Sequence, residues 1–301
     1  MSASNRSHLH PSIRDLLDLD DRARIRELKR DRWISYPAAK AVLDMMEECW
    51  DHPPSQRMPN LLVIGDTSSG KTAVVRYFRQ QYAPTDDARR EEAVVPVLYC
   101  LCPPTPHPTW LYHAILEAIF APYHEKAPAA ALHYQVIRTL GQLGTRMLIV
   151  DEIHNIFQGS TDRQKLFLNL LKNLANELQI VLVAVGTQEA QNAIATDRQL
   201  ENRFEVMSLP RWKLSHEWRR LLASYETLLP LRVPSSLGED ELAKKLHDMS
   251  NGYLGELVRI LRRAGAKAIK DKSERITVDL LKKLPWTPPD NRRGFQPGDD
   301  S

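Results

Sequence analysis

This sequence has few cysteines, no long apolar run and almost no excess charge of either sign. Its 301 residues include three cysteines, Cys49, Cys100 and Cys102. Such an odd, sparse set does not form a disulfide framework, which predicts a protein of the reducing cytoplasm. No segment approaches the ~18 apolar residues that a membrane span needs. The polar N-terminus is not followed by an apolar run, so no signal peptide is predicted.

The charge balance is also uninformative about partners. Lys and Arg number 41 against 38 for Asp and Glu, which leaves a net charge of +3. A balance this small does not predict nucleic-acid binding, so that function must rest on local clusters. Cys100, Cys102 and His107 are residue types that bind metals, but their spacing differs from that of zinc sites. We therefore favour buried thiols at the end of a strand.

Short apolar runs alternate with helical patterns through the middle of the chain. Continuous apolar runs between helices are typical of a parallel sheet covered on both faces. Only helical patterns follow Pro210. We therefore predict an α/β fold, with a parallel five-stranded sheet flanked by helices and a small all-helical domain. The predicted strands are residues 61–64, 94–100, 147–150, 180–185 and 204–209.

These patterns predict four regions. An N-terminal helical extension covers residues 1–55, of which 1–12 are expected to be disordered and 13–33 to form one charged helix. The core covers 56–210 and the helical domain 211–285. The tail, 286–301, is rich in Pro, Asp and Gly and is expected to be disordered.

Residues 65–72 form a complete phosphate-binding motif, G-x-x-x-x-G-K-[ST], between a predicted strand and a predicted helix. Glycines let backbone N–H groups surround phosphates, the lysine neutralises the β- and γ-phosphates, and the last hydroxyl binds Mg²⁺. The pattern predicts a site for ATP and Mg²⁺. Its residues are Gly65, Asp66, Thr67, Ser68, Ser69, Gly70, Lys71 and Thr72.

Two carboxylates follow the apolar run 147–150. Ligands gather at the carboxyl ends of strands in open α/β sheets, so Asp151 is predicted to hold Mg²⁺ with Thr72. Glu152 is predicted to orient or deprotonate the attacking water. The alternative is that the Asp-Glu pair caps the next helix.

A polar residue after the fourth predicted strand completes this set. Thr187 is our candidate for contacting the γ-phosphate or the attacking water, with Gln188 as the second choice, and a plain strand-terminal turn is the alternative. No N-K-x-D tetrapeptide follows the motif, which favours adenine over guanine. The sequence Asp-Glu-Ile-His at 151–154 is similar to a helicase box, but the chain is too short for two helicase lobes.

Together these motifs resemble the TniB/TnsC-like AAA+ ATPases of bacterial transposons, and the TniB branch above all. The similarity runs from about residue 13 to 284, and its most specific parts are Thr-Asp-Arg-Gln-Leu-Glu-Asn-Arg-Phe at 196–204 and Leu-Pro-Arg-Trp at 209–212. The resemblance implies an AAA+ core with a helical lid. It also implies a homo-oligomeric ring or filament on double-stranded DNA that communicates with a transposase and a target-selection protein.

The same resemblance implies an arginine supplied by a neighbouring subunit. Arg203 matches that position best and Arg198 is the second candidate; the alternative is a surface ion pair. The chain departs from the AAA+ pattern where many lids carry Gly-x-x-Arg, because Gly255 stands in the place of that arginine. Arg259, one helical turn later, is a possible substitute.

The predicted helix 255–270 has an apolar face opposite a basic one. The basic residues are either a solvated face or a surface for phosphate, on DNA or ATP. The second basic run, 22–32, is interrupted by acidic residues, which weakens a role in DNA binding. The basic face comprises Arg259, Arg262, Arg263, Lys267 and Lys270.

The sequence thus predicts an ATPase that regulates DNA transposition by assembling on target DNA. A replication initiator or helicase loader of the same fold is the alternative. A stand-alone P-loop kinase is disfavoured, because no second substrate motif is present and the C-terminal region is entirely helical.

Overall fold

The computed structural model describes residues 6–85, 93–195 and 203–292, which belong to two compact units. The core unit is contiguous, Pro37–Pro210. The helical unit combines Met1–Tyr36 with Arg211–Ser301. The predicted N-terminal extension over 1–55 is therefore divided, because its first part belongs to the helical unit and its second part to the core unit.

The elements alternate between strand and helix only within the core unit. The strands are β1 (Asn60–Gly65), β2 (Val97–Leu101), β3 (Met147–Asp151), β4 (Val181–Gly186) and β5 (Phe204–Leu209). The helices are α1 (Pro11–Arg14), α2 (Asp21–Leu28), α3 (Pro37–Asp51), α4 (Lys71–Gln81), α5 (Pro108–Ala118), α6 (Ala129–Gln142), α7 (Thr161–Leu178), α8 (Gln188–Ile194), α9 (His216–Thr227), α10 (Asp240–Ser250), α11 (Leu254–Lys270), α12 (Val278–Lys282) and α13 (Pro289–Arg292). Two 3₁₀ helices cover Asp15–Asp18 and Ile153–Gln158.

The five strands form one sheet with the order β2-β3-β4-β1-β5, and every pair is parallel. This confirms the predicted parallel five-stranded sheet flanked by helices. Strands β3 and β4 are buried along their whole length, as their continuous apolar sequences require. Strand β5 lies at an edge and is buried only at its ends. The parallel arrangement brings the carboxyl ends of β1, β3 and β4 to one edge of the sheet.

Disorder was expected over residues 1–12. Residues 6–12, the described part of that range, are instead ordered. Leu9 and Ile13 are buried with Leu17, and the His10 N–H donates to the Thr227 carbonyl at 2.9 Å. These apolar contacts explain the order. The single helix predicted over 13–33 is also wrong. The chain is extended at Leu19, and the carboxylate of the next residue accepts the Ala23 N–H and begins α2.

A buried ion pair joins the two chain segments of the helical unit. Arg24 is 1% exposed and donates to both carboxylate oxygens of Glu274, at 2.8 and 2.5 Å, and to the Pro230 carbonyl at 2.7 Å. A Cβ placed at Gly265 in α11 would lie 3.0 Å from Leu28 Cδ1. Helix α2 therefore approaches α11 closely because that position has no side chain.

The described part of the predicted disordered tail, residues 286–292, is ordered as well. Trp286 Nε1 donates to the Met249 carbonyl at 2.9 Å, and Arg292 in α13 forms an ion pair with Glu256 at 2.8 Å. An aromatic ring and a charged partner therefore hold a segment that its Pro-rich composition marks as a loop. Residues 293–301 lie outside the described part of the chain. Among the described helices, none has the length and apolar character needed to cross a membrane.

Candidate nucleotide-binding site

The phosphate-binding motif forms the turn between β1 and α4. Gly70 has φ of 99°, a left-handed conformation that glycine adopts without strain. The Ser69 N–H donates to the Asp66 carbonyl at 3.1 Å and closes the turn. A Cβ at Gly65 would lie 2.7 Å from the Leu209 carbonyl oxygen, so the backbone of β5 permits only glycine there. The turn therefore has the strand–loop–helix context that the motif requires.

Lys71 lies at the first position of α4 and is 7% exposed. Its Nζ donates to the carbonyl oxygens of Gly65 and Asp66, both at 2.8 Å. Burial lowers the pKa of Lys71, while the charges of Glu152, Asp151 and Asp66 oppose that shift. The backbone therefore orients the ammonium group across the loop, and the third of its N–H donors remains for a ligand.

Asp151 ends β3 and is 1% exposed. Its Oδ2 accepts the Thr72 hydroxyl at 2.7 Å and the Tyr99 hydroxyl at 2.9 Å, while its Oδ1 accepts the Glu152 N–H at 2.8 Å. Three donors from three elements thus fix this carboxylate. Thr72 and Asp151, which the sequence assigned to one metal ion, lie together.

Glu152 follows Asp151 in a left-handed conformation, with φ of 57°. This is uncommon for a residue with a side chain. Its side chain makes no capping hydrogen bond to the 3₁₀ helix that follows, which disfavours the alternative role as a cap. Instead its Oε2 lies 3.2 Å from His154 Nε2. The other nitrogen of this histidine, Nδ1, is buried and has no hydrogen-bond partner among the described residues.

Two further predicted residues lie at strand ends of the core unit. Thr187 directly follows β4, and its hydroxyl donates to the Glu189 carboxylate, which lowers the pKa of Glu189. Arg203 directly precedes β5, and its Nη1 donates to Asn176 Oδ1 in α7 at 2.8 Å. Gln188 begins α8, a helix that was not predicted. Arg198 lies outside the described residues.

The groups present at the loop fit a nucleotide and its metal ion. Ser69 Oγ is buried without a hydrogen-bond partner among the described residues, and Gly70 leaves the loop backbone open to phosphate. The hydroxyl of Thr72 and the carboxylate of Asp151 are oxygen ligands, which Mg²⁺ prefers. The thiols of Cys100 and Cys102 are buried instead, and burial raises the pKa of Cys100 to about 12.

Tyr99 belongs to the site although none of the sequence motifs includes it. It lies in β2, whose pairing with β3 brings its hydroxyl to Asp151. Burial first, then Asp151, raises the pKa of Tyr99 to about 12, so the hydroxyl stays a donor. Arg76 lies over the ring, with its guanidinium carbon 5.2 Å from the ring centre. The sequence feature that could have indicated Tyr99 is its polar hydroxyl in an otherwise apolar strand.

Several solved structures resemble this fold. The chain matches the Aeropyrum pernix ORC2 protein in its ADPNP-ADP complexes with a TM-score of 0.58 and 14% identity, over 86% of this chain and 70% of that one. It matches Cdc6p from Pyrobaculum aerophilum with a TM-score of 0.59 and 15% identity, over 86% and 68%. It matches the A. pernix ORC1 protein in complex with DNA with a TM-score of 0.56 and 16% identity, over 86% of this chain and 67% of that one.

The sheet order, the phosphate-binding loop and these likenesses define a P-loop protein with the fold of the AAA+ ATPases. Residues 24–214 also match the family described as bacterial TniB protein, which is more than half of the chain. The chain therefore belongs to the TniB family. Among curated proteins, 49 residues are 35% identical to part of activin receptor type-2B from Xenopus laevis, which is 16% of this chain and only 10% of the receptor. A match that short carries no functional argument.

Proposed function

We propose that this protein is an ATP-dependent, DNA-binding regulator of transposition that oligomerises on target DNA and links a transposase to the target site. The observation that carries the proposal is the convergence of Lys71, Thr72 and Asp151 in a chain of the TniB family. A target-selection protein is the further partner that we propose from the resemblance.

In this proposal the loop holds the phosphates of ATP. Backbone N–H groups of residues 65–70 would surround the β-phosphate, and Lys71 is the only motif residue that would bring a positive charge to the β- and γ-phosphates. Thr72 and Asp151 would hold Mg²⁺, directly or through water. Bound there, Mg²⁺ supplies a positive charge that offsets the charge of the phosphates. Tyr99 keeps Asp151 in place, because its hydroxyl occupies the same carboxylate oxygen as Thr72.

Hydrolysis uses three other residues. Glu152 accepts a proton from the attacking water or orients that water, and the nearby His154 nitrogen sets the direction of its carboxylate. Thr187 contacts the γ-phosphate or the water from the end of β4. Arg203 acts on the nucleotide of a neighbouring subunit, and in the single chain its Nη1 donates to Asn176. Hydrolysis then serves as a switch between assembled and released states.

A second candidate function is replication initiation or helicase loading. The observation in its favour is the fold likeness to the ORC and Cdc6 proteins, one of which was solved with DNA. The two functions differ in the partner that the ATP-bound oligomer recruits. A neighbouring gene for a DDE transposase, and binding of that transposase to the oligomer, would support transposition. Binding of a replicative helicase instead would support the second candidate.

The nucleotide site is tested first by Lys71→Ala. Loss of its charge removes charge-assisted hydrogen bonds of ~3 kcal/mol, which corresponds to about a hundredfold weaker ATP binding. Calorimetry of ATP binding measures the effect, and Lys40→Ala, an exposed lysine of the same unit, is the matched control. Equal ATP affinity in both variants would refute the site.

The proposed assembly is tested by DNA binding in different nucleotide states. We expect duplex DNA to bind with little sequence preference, more tightly with ATP or a slowly hydrolysed analogue than without. Electron microscopy of the same samples should show rings or filaments only in the ATP-bound state. Equal DNA affinity with and without nucleotide at matched salt would contradict ATP-dependent assembly.

A further inference from the structure

Helix α11 carries a row of cations that no ion pair interrupts along most of its length. Arg259, Arg263, Lys267 and Lys270 are spaced four, four and three residues apart, so they share one face of the helix at intervals of about 6 Å. We name these four residues the cationic row. No acidic residue occurs in the sequence between Glu256 and Asp271. Three of the four are exposed and Lys267 is half-buried.

A cavity of about 310 Å³ lies at the N-terminal end of the cationic row. Three guanidinium groups line it, from Arg259, Arg263 and Arg292, together with Trp286 and two smaller residues. Like charges that gather around one cavity repel each other, and an anion bound among them relieves that repulsion. The cavity therefore has the charge of an anion site.

Aromatic stacking fixes the arginines of this cavity. The guanidinium carbon of Arg263 lies 5.4 Å from the Trp286 ring centre and that of Arg292 lies 4.6 Å from it. The ring is anchored by its own hydrogen bond to the Met249 carbonyl. Arginines held against an aromatic ring lose less side-chain freedom when a ligand binds, which favours binding.

The carboxylate beside the cavity neutralises only part of this charge. Glu256 is 6% exposed and accepts hydrogen bonds from both terminal nitrogens of Arg292, at 3.2 and 2.8 Å, and lies 3.1 Å from Arg259 Nη1. Two of the three guanidinium groups thus share one carboxylate. Arg262, by contrast, lies off the cationic row and forms an ion pair with Asp31 at 2.7 Å. The cationic row and its cavity therefore retain an excess of positive charge.

We propose that the cationic row and the cavity bind the phosphate backbone of duplex DNA. This inference rests on the proposed function and assigns a DNA-contacting surface to the helical unit. The row is about 16 Å long, and duplex DNA carries one negative charge per about 1.7 Å of its axis. A straight row of mostly exposed cations can therefore face several phosphates at once. An acidic peptide is the competing occupant, and loss of transposase binding alone in the test below would favour it.

The test measures how DNA binding depends on salt. A fluorescently labelled duplex is titrated with the full chain and a slowly hydrolysed ATP analogue at several salt concentrations. Each lost phosphate contact lowers the salt slope by about one, so Arg263→Gln/Lys267→Gln should lower it by about two. Lys244→Gln/Lys245→Gln removes the same charge from α10 of the same unit and should leave the slope unchanged.

A charge-preserving variant separates binding from folding. Arg263→Lys/Lys267→Arg should retain the wild-type slope, although both side chains are replaced. If Arg263→Gln/Lys267→Gln keeps the wild-type slope, the assignment is wrong, and it is equally wrong if that variant loses only ATP affinity or only transposase binding. If the wild-type protein binds no DNA in any nucleotide state, the proposed function falls together with this inference.

Discussion

The core unit buries the charged groups of its candidate site, whereas the helical unit exposes most of its cationic row. In the core unit Lys71 and Asp151 are buried, and backbone and hydroxyl groups hydrogen-bond them at one edge of the sheet. In the helical unit most of the cationic row is exposed, and the row is spread along one helix. Buried charges held by hydrogen bonds favour one ligand in one geometry, whereas exposed charges can bind a repeating polymer in many registers. In our proposal the first unit therefore binds the nucleotide, and the second contacts DNA without reading its sequence.

The largest expected effect concerns Arg203, which we propose the core unit supplies to a neighbouring subunit. A trans arginine contributes roughly 10³–10⁵ in rate in related NTPases. Arg203→Ala should reduce hydrolysis on that scale while ATP binding by the isolated subunit stays nearly intact. Steady-state hydrolysis measures the loss, and Arg57→Ala, an exposed arginine of the same unit, is the matched control.

Mixing two inactive variants shows whether the core site needs two subunits. Arg203→Ala retains Lys71, and Lys71→Ala retains Arg203, so a mixed interface contains one intact site and activity should return in part. No recovery in verified co-assemblies would exclude Arg203 as the trans residue. Arg198 would then be the next candidate.

The next effect separates ATP binding from hydrolysis within the core unit. Glu152→Gln keeps the size of the side chain but removes its proton-accepting charge, which should lower hydrolysis by about 10²–10⁴. The ATP-bound assembly should accumulate, as measured by nucleotide retention and DNA binding. Glu125→Gln, on an exposed loop of the same unit, should change neither property. Wild-type turnover by Glu152→Gln would mean that another group accepts the proton.

A smaller effect tests whether the buried charge of the helical unit is structural. Arg24→Met leaves the Glu274 carboxylate with Arg232 as its remaining cation, at 3.6 Å. We expect the free energy of unfolding of the helical unit to fall by about 3 kcal/mol. Urea denaturation measures it, with Arg22→Met on the exposed side of α2 as control. ATP binding by the core unit should remain.

The same pair predicts a pH dependence. Burial tends to raise the pKa of Glu274, but the hydrogen bond and charge of Arg24 hold it below its ordinary value of 4.5. A lowered pKa in the folded state stabilises the protein above that ordinary value, and this contribution is lost as the pH falls through the lowered pKa. As the pH falls through this range, the free energy of unfolding should decrease more steeply for the wild type than for Arg24→Met. Parallel plots of unfolding free energy against pH for the two proteins would argue against a stabilising ion pair.

The smallest effect sharpens the role of Tyr99. Tyr99→Phe removes one hydrogen bond to Asp151, worth ~1 kcal/mol, and should raise the Mg²⁺ concentration for half-maximal ATP binding about fivefold. Binding measured in a chelator, without Mg²⁺, should not change. Tyr134→Phe, which alters an exposed ring in α6, is the matched control. An unaltered Mg²⁺ requirement would reduce Tyr99 to a packing role.

The sequence predicted the parts of the core unit that depend on local patterns. Apolar runs predicted the strands because β1 to β4 are almost entirely buried. The glycines and Lys71 predicted the loop because the motif is contiguous. Asp151 was predicted from the end of its own strand. Tyr99 was not predicted, because its proximity to Asp151 depends on the pairing of β2 with β3. Local sequence patterns do not determine the order of strands in a sheet.

The helical unit was predicted less well for the same reason. Arg24 was one of several basic residues in a charged run, and its burial depends on Glu274, which is 250 positions away. The segment 286–292 was assigned to a disordered tail from its composition, yet Trp286 and Arg292 find partners on α10 and α11. Long-range partners override local composition in both cases.

The split origin of the helical unit has a consequence for biosynthesis. Its first segment is synthesised before the core unit, but the surface that buries Arg24 is complete only after residue 274 has been added. The core unit is contiguous, so it can fold while the earlier segment waits without its partner. Arg24 and Glu274 are 250 positions apart, so at synthesis rates of about 5–20 residues per second that wait lasts about 12–50 seconds. During this time the apolar side chains of α2 are open to chaperones and proteases, so shortening the wait should raise the yield of folded protein.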